Sequence, residues 1–512
     1  MGSELILAHD IGTTGNKATL FSDDGSIIGS TFYGYETSFP KVGWAEQNPL
    51  DWWKAVCIST KQLLSKFEVN PNNIASVTFS GQMMGCVLVD YEGNPLRKAI
   101  IWADMRAEQE AAMLKDQLGM EKVYRITGHR ISSSYSGAKL KWIKNNQPEL
   151  YQQAYKALQA KDFLVQRLTG QFATDYSDAS GMNLLDISTK EWSEEILKAW
   201  EIDEAILPDV YPSTHVIGKV TDKAAEETGL TPGTPVVIGG GDGCCAAAGV
   251  GVVAEGDAFT YIGSSAWVAL ATEKPLFDPE MKTYTWVHLD ETKYSPNGTM
   301  QAAGASYQWI RDHLYSNEHK LAKQNDESIY HLMNNFAEQS PPGSNRLLYL
   351  PYLMGERAPR WNPDARGTFL GLHVKHNRSD MTRAVMEGVT FNLNVILKAL
   401  IQAGASIDKM WILGGAAKSD VWKQIFADVY QLELSVPHLL DEATSMGAAI
   451  TGAVGVGILK DFEEAKSWVY EREVIKPKAE NQQIYQQLHD IFDQSYEQLK
   501  PIYERLAHIK VD

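Results

Sequence analysis

LILAHDIGTTGNKATLF, residues 5–21, sets five residues of buried-strand character before an acid, then a turn of Gly12, Thr13, Thr14 and Gly15, then a second apolar run. Backbone N–H groups around a glycine-rich turn converge on an anion, and hydroxyls add donors. Lys17 stands where it can reach a phosphoryl oxygen. Asp10 can hold Mg²⁺, generally through water because that ion dehydrates reluctantly. Ordinary hairpins use glycine turns as well, so the turn alone does not decide between a phosphate loop and a plain reversal.

The same arrangement returns in the second half. DAFTYIGSSAWVALAT (257–272) repeats strand, glycine–hydroxyl–hydroxyl turn and strand, and IGTTGNKATLF aligns with IGSSAWVALAT without gaps. A run of small residues, CCAAAGVGVV (244–253), is echoed by SMGAAITGAVGVGIL near the C-terminus. Internal similarity of this kind indicates a duplicated architecture, although Gly/Ala-rich segments also resemble one another by composition. The expected halves are residues 1–252 and 253–512, with a ligand cleft between them. Gly263, Ser264 and Ser265 then form a second turn facing the first, and two such turns suit the phosphates of one nucleotide.

The bulk numbers agree with a two-domain globular chain. It has 512 residues, 44% of them hydrophobic and 22% charged, and a formal net charge of −17. That charge argues against nonspecific nucleic-acid binding and against an anionic membrane surface. Cys57, Cys86, Cys244 and Cys245 have neither zinc-site spacing nor the number for a disulfide framework. The adjacent pair reads as small packing residues. No signal-peptide pattern and no apolar run long enough to cross a membrane is read, so the expectation is a cytoplasmic protein.

Further along, Asn48-Pro49 precedes a helical pattern, IASVTFSGQ (74–82) and AIIW (99–102) read as strands, and helical patterns run from about Met105 to Gly170. TPVVIGGGDG (234–243) reads as a buried strand ending in glycines and one acid, before a closely packed helix. Asp242 there reads equally as the acceptor of a proton from an attacking hydroxyl and as the N-cap of that helix. WILGGAAKSDVWKQIFADV (411–429) is a strand, a glycine turn and a helix. Gly414 and Gly415 would admit a flat purine with Lys418 and Ser419 along its edge, or Ser419 or Asp420 simply caps the helix. Met83 and Met84 in GQMMG (81–85) are pocket wall or core filler. Asp104 and Arg106 in ADMRAE are polyol contacts or a salt-bridged helix start.

In this order the chain resembles the FGGY family of carbohydrate kinases over essentially its full length. SYSGAKLKWIKNN (134–146) fits the family's first signature through Lys139, Trp142, Asn145 and Asn146. GTFLGLHVKHNRSDMTRAVMEG (367–388) fits the second through Gly367, Gly371, Asp380, Ala384 and Glu387. Both segments read as mainly structural. The resemblance implies an α/β fold of two ribonuclease-H-like domains, as in actin-like ATPases, each on a mixed five-stranded sheet and closing on MgATP and sugar. It places Asp10 near the metal and makes Asp242 the base. It puts Thr13, Thr14 and Lys17 on phosphate, Gly263–Ser265 in the second phosphate loop, and Gly304, Gln308, Gly414, Gly415 and Ser419 on adenosine. The sugar falls to the N-terminal half, with Gln82, Met83, Met84, Asp104 and Asp242 around it. A homodimer is compatible with the resemblance, which does not fix the oligomeric state.

Xylulokinases are similar in detail. Their GQMHG corresponds to Gly81–Gly85, their WND-R to Trp102–Arg106 and their GERTP to Gly355–Pro359. Met84 stands in place of a sugar-facing histidine, Ala103 in place of an asparagine, and Gly243 in place of an asparagine beside the base. Gluconate kinases fit WADMR and GERAPRWNP (355–363) somewhat better. The expected reaction is therefore ATP-dependent phosphorylation of a ketose, with D-xylulose giving D-xylulose 5-phosphate. D-gluconate or another ketose or polyol is the alternative acceptor. An actin- or Hsp70-like ATPase, and a sugar-responsive protein without catalysis, are the readings from other classes.

Overall fold

The computed structural model describes residues 4–509, and two mixed β-sheets of seven strands each organise it. In the first, β1 (Leu5–Ile11) pairs antiparallel with β2 (Gly15–Ser22), and β3 (Ile27–Gly34) extends the meander. α1 (Pro49–Lys66) follows. Asn48 caps it by accepting from the Leu50 N–H, and Pro49 takes the first helical position, where no N–H is missed. Such a cap is worth about 1 kcal/mol. β4 (Ile74–Gly81) then runs parallel to β1. Beyond it come α2 (Ser136–Asn146), α3 (Ala160–Thr169), α4 (Tyr176–Ser180), β5 (Val216–Lys219), β6 (Pro235–Val237), β7 (Gly240–Gly241) and α5 (Asp242–Ala248). The sheet order is β5-β6-β4-β1-β2-β3, and β7 pairs with the far end of β4.

The second sheet contains β8 (Asp257–Ile262), β9 (Ala266–Leu270), β10 (Tyr284–Val287), β11 (Tyr294–Met300), β12 (Lys409–Gly414), β13 (Leu434–Pro437) and β14 (Glu471–Ile475). Its order, β10-β11-β9-β8-β12-β13-β14, holds the succession β11-β9-β8-β12-β13. That succession matches β3-β2-β1-β4-β6 of the first. Edge strands enlarge both sheets beyond the five strands expected. The main helices are α6 (Gly304–Leu314), α7 (Arg378–Gln402), α8 (Asp420–Tyr430) and α9 (Ala443–Val456).

The two small-residue helices pack across the halves. Ala246 and Ala247 of α5 lie against Phe259, Trp411 and Leu413 of the second sheet. Met446, Ala449 and Ile450 of α9 lie against Ile6, Ala8 and Phe21 of the first. At their crossing a Cβ on Gly249 would stand 1.8 Å from the Ala443 carbonyl, and one on Gly447 would stand 1.8 Å from the Cys245 carbonyl. No side chain fits there, which accounts for the repeated composition. Cys244 and Cys245 are buried packing residues with free thiols.

Several expected elements differ. The strand over 234–243 breaks at Gly239, whose φ is +74° and where a Cβ would lie 1.9 Å from the Phe79 carbonyl, so only glycine makes that bend. The helix after it ends at Ala248 rather than continuing through Val253. The AIIW strand is only Ala99–Ile100, and the 105–170 helical region is interrupted by a strand at Lys156–Leu158. α7 is 25 residues long and apolar enough to cross a membrane by length and composition, contrary to the expectation of no such run. It is instead buried in the second half's core.

The signature residues bear structural contacts. Asp380 forms a capping box with Asn377 at the start of α7. The Glu387 carboxylate accepts from Gly343 N, the Ser344 hydroxyl, Arg383 Nε and the Tyr485 hydroxyl.

Candidate active site

Open α/β sheets bind ligands beyond the carboxyl ends of their parallel strands. β1 ends there in Asp10 and Ile11. The register pairs Asp10 with Ser80, and Ser80 with Gly240, so Asp10 and Asp242 emerge two strands apart at one end of the sheet. Between β1 and β2 the Gly12 N–H closes the turn on the Gly15 carbonyl at 3.0 Å. The turn's carbonyls are all engaged. The Tyr35 hydroxyl donates to Gly12 O at 2.5 Å and Gly15 O at 3.1 Å, Gln47 Nε2 donates to Thr13 O at 2.7 Å, and the Tyr35 N–H donates to Thr14 O at 3.2 Å. The N–H groups of Thr13 and Thr14 have no acceptor among the described residues. The second turn closes from the Gly263 N–H to Ser265 O at 2.8 Å. The first turn of α6 clamps it: Gly304 N–H donates to Gly263 O at 2.9 Å, and Ala303 and Ala305 donate to Ser264 O at 3.0 Å. A Cβ on Gly304 would lie 2.2 Å from the Gly263 carbonyl, so glycine is required for that approach.

A cavity of about 380 Å³ opens between the halves, with Asp242, Thr13, Met83, Met84 and Trp102 on one wall. Asp242 is the first residue of α5. The cap position belongs to Gly241 and no side chain caps the helix, so the N-cap alternative fails. Asp242 Oδ1 accepts from the Gly243 N–H at 2.7 Å. Burial, and then the charge of Asp10, push the Asp242 carboxyl up to about 7. Asp10 is pushed up to about 6 by burial, offset by the Ser80 hydroxyl at 3.2 Å and by Lys17. Two neighbouring carboxylates of this kind suit a proton acceptor beside a hard cation. Mg²⁺ in nucleotide sites takes one or two carboxylates plus phosphate and water oxygens. The donors fit that pattern: Asp10 Oδ1 meets only a hydroxyl, and no cluster of three ligating side chains exists among the described residues.

Asp10, Gly12 and Thr14 line neither cavity, and three further expected contacts are engaged elsewhere. Asp104 is fully buried, and its carboxylate accepts from the Ala45 N–H at 2.6 Å and from Arg106 at 2.7–3.0 Å. It fixes the Trp44–Arg106 loop and has no lone pair turned toward a sugar. Gln82 leaves β4 toward the first turn, where Nε2 donates to Gln47 Oε1 at 2.8 Å and Gly12 O at 3.4 Å, so it braces the turn. Lys17 Nζ is held across the cleft by Glu442 Oε1 at 2.9 Å and Asp441 O at 3.2 Å. Met84 does line the cavity, in a left-handed conformation at φ +63°. The signature lysine supports it: buried Lys139 Nζ donates to Met84 O at 2.8 Å and to Ser134 O.

The opposite wall comes from the second half and was not foreseen. Tyr284 and Trp286 of β10, Asn297 and Thr299 of β11, and Arg357 complete the cavity, which is therefore not confined to the N-terminal half. Arg357 has no carboxylate within ion-pair distance among the described residues, because the adjacent Glu356 is occupied by Gln301 N, Arg357 N and Asn392 Nδ2. Alternation in YTWV and NGT was the available signal, since every second residue of a strand shares a face.

A second cavity of about 440 Å³ adjoins the first, and Tyr261 and Asp441 line both. Gly263, Ser264, Gly304, Gln308, Gly414, Gly415 and Ser419 converge on it, with Tyr307, Tyr330 and Trp422 as aromatic walls that the sequence reading did not single out. Ser419 also caps α8, accepting from the Trp422 N–H at 3.4 Å.

Comparison with known proteins agrees with this architecture. Residues 5–249 match the model of the FGGY family of carbohydrate kinases, N-terminal domain, and residues 258–456 match that of the C-terminal domain. The chain is 33% identical over 505 residues to a gluconokinase of Bacillus licheniformis, covering 98% of each chain. It is 32% identical over 498 residues to a xylulose kinase of Bacillus subtilis, covering 97% of each. A crystal structure of gluconate kinase from Lactobacillus acidophilus superimposes with a TM-score of 0.92 at 28% identity, over 99% of this chain and all of that one.

Proposed function

Because the chain belongs to the FGGY family of carbohydrate kinases, we propose that it transfers the γ-phosphate of ATP to a terminal hydroxyl of D-xylulose, with Asp242 as the general base. The observation that carries this reading is the position of Asp242. Its carboxylate, pushed up to about 7, faces a sugar-sized cavity that opens directly onto the cavity holding the adenosine-type residues. A base poised near neutral pH takes a hydroxyl proton effectively.

Asp242 accepts the proton as the sugar oxygen attacks the γ-phosphorus in line, and the bond to the β–γ bridging oxygen breaks to release ADP. The free Thr13 and Thr14 N–H groups of the first turn and the hydroxyls of Thr13 and Ser265 bind and orient the phosphates. Mg²⁺ held at Asp10 would neutralise charge on the transferring group. Lys17 exchanges Glu442 for a phosphate oxygen when nucleotide binds. Closure of the two walls excludes water and so limits ATP hydrolysis.

D-gluconate is the second reading, favoured by the uncommitted Arg357 guanidinium in the cavity, a group suited to a carboxylate. The space around Gly243 points the same way, since a Cβ there would meet nothing within 4 Å. Met84→His tests the acceptor. Histidine tolerates the left-handed backbone better than methionine and adds the hydrogen-bonding side chain that a thioether lacks. With D-xylulose as substrate, kcat/KM for it should hold or rise a few-fold in the variant. Undetectable turnover of D-xylulose by the wild-type protein, beside robust ADP release with D-gluconate, would replace the first reading with the second.

A further inference from the structure

The base is held from behind by a buried polar relay that does not touch the cavity. The Gly241 N–H, one residue before Asp242, donates to Ser177 Oγ at 2.9 Å. The Ser177 hydroxyl donates in turn to Asp175 Oδ2 at 2.5 Å, which also accepts from the Ser177 N–H at 2.9 Å and the Ser213 hydroxyl at 2.7 Å. Asp175 Oδ1 lies 2.8 Å from Lys161 Nζ, which also meets Asp162 at 2.6 Å and Asp178 at 3.1 Å. These four charged side chains are fully buried. One ammonium cannot neutralise three carboxylates. Burial and its acidic neighbours accordingly hold Asp178 well above the usual carboxylate range.

We propose that Ser177 is a positioning residue for Asp242, locking the β7–α5 junction so that the base carboxylate faces the cavity. A hydroxyl has one proton to give. Once Asp175 takes it, a Ser177 lone pair must face the Gly241 N–H, and the carboxylate behind strengthens that acceptor. The junction needs such a clamp because Gly240 and Gly241 have no side chains to fix them. On the other side Gly241 is backed by Met83, whose Sδ and Cε would lie 2.5 Å from a Cβ there. Gly241, the residue before Asp242, is thus held between Ser177 and Met83. Misplacement of a reacting group by about 1 Å costs on the order of 10²-fold in rate.

This inference rests on Asp242 being the base. Ser177→Ala, with folding checked by circular dichroism and thermal melting, should lower kcat by about 10- to 100-fold. KM for sugar and for ATP should change by less than about three-fold, because Ser177 touches neither cavity. Ser177→Thr keeps the hydroxyl and should restore kcat to within a few-fold of wild type. Ser213→Ala removes a donor from the same Asp175 oxygen without touching Gly241, and should leave kcat unchanged. If Ser177→Ala does not fold, the near-isosteric Ser177→Cys carries the same expectation. Wild-type kcat in folded Ser177→Ala or Ser177→Cys, or equal kcat losses in Ser177→Ala and Ser213→Ala, would overturn the proposal. Failure of the base assignment is separable, since it would appear as near-normal turnover in Asp242→Asn.

Discussion

Asp242→Asn is expected to lower kcat by about 10²–10⁴-fold, the usual cost of losing a general base, with MgADP affinity by calorimetry within a few-fold of wild type. The amide keeps the shape and removes the acceptor. The nucleotide groups lie in the adjoining cavity and make no contact that depends on this carboxylate. The same assignment fixes a pH dependence. Asp242 must be ionised to take a proton, and its carboxyl is pushed up to about 7, so wild-type kcat/KM should fall as pH drops through about 7 and level off above it. Asp10 and Asp242 titrate as an interacting pair, so the limb reports the pair and spreads across the range between about 6 and 7. Near-normal turnover in the Asn variant would remove Asp242 from the chemistry.

Gly12→Val should weaken MgADP binding by about 10-fold or more while sugar binding persists. The structure makes this a test of ligand contact rather than of folding. A Cβ on Gly12 would meet only the Gly15 carbonyl, at 3.6 Å, and Gly12 has an ordinary backbone conformation. The first turn is held by Tyr35, Gln47 and Gln82, none of which contacts that Cβ position. A Cβ there is accommodated, so valine is expected to act on the approach of phosphate oxygens to the turn's backbone rather than on the turn itself. Unchanged MgADP affinity in this variant would show that the first turn is a structural reversal.

The two small-residue helices were legible in the chain because glycine at their crossing answers to backbone-to-backbone contact, and the two hairpins because the same strand–turn–strand pattern recurs. Asp242 was legible as an acid isolated among glycines, but its two readings separated only when Gly241 took the cap position. Asp104 stayed open between two readings because an acid two residues before an arginine looks alike as a sugar contact and as an internal ion pair. Only the fold shows Ala45 and Arg106 using all of it. Gln82 and Lys17 were likewise placed by residue type, whereas their partners lie 35 and 425 residues away along the chain. Tyr284, Trp286, Asn297, Thr299 and Arg357 were missed for the same reason. Alternation shows that residues share a strand face, and sheet order decides what that face meets.

Sugar-dependent phosphoryl transfer is measured by ADP release from the wild-type protein with MgATP against a panel of D-xylulose, other ketoses, polyols and D-gluconate, with the sugar phosphate quantified alongside. Little ADP is expected without sugar, and one sugar phosphate for each ADP with the true acceptor. ADP release that is the same with and without every sugar, and yields no sugar phosphate, would contradict that transfer.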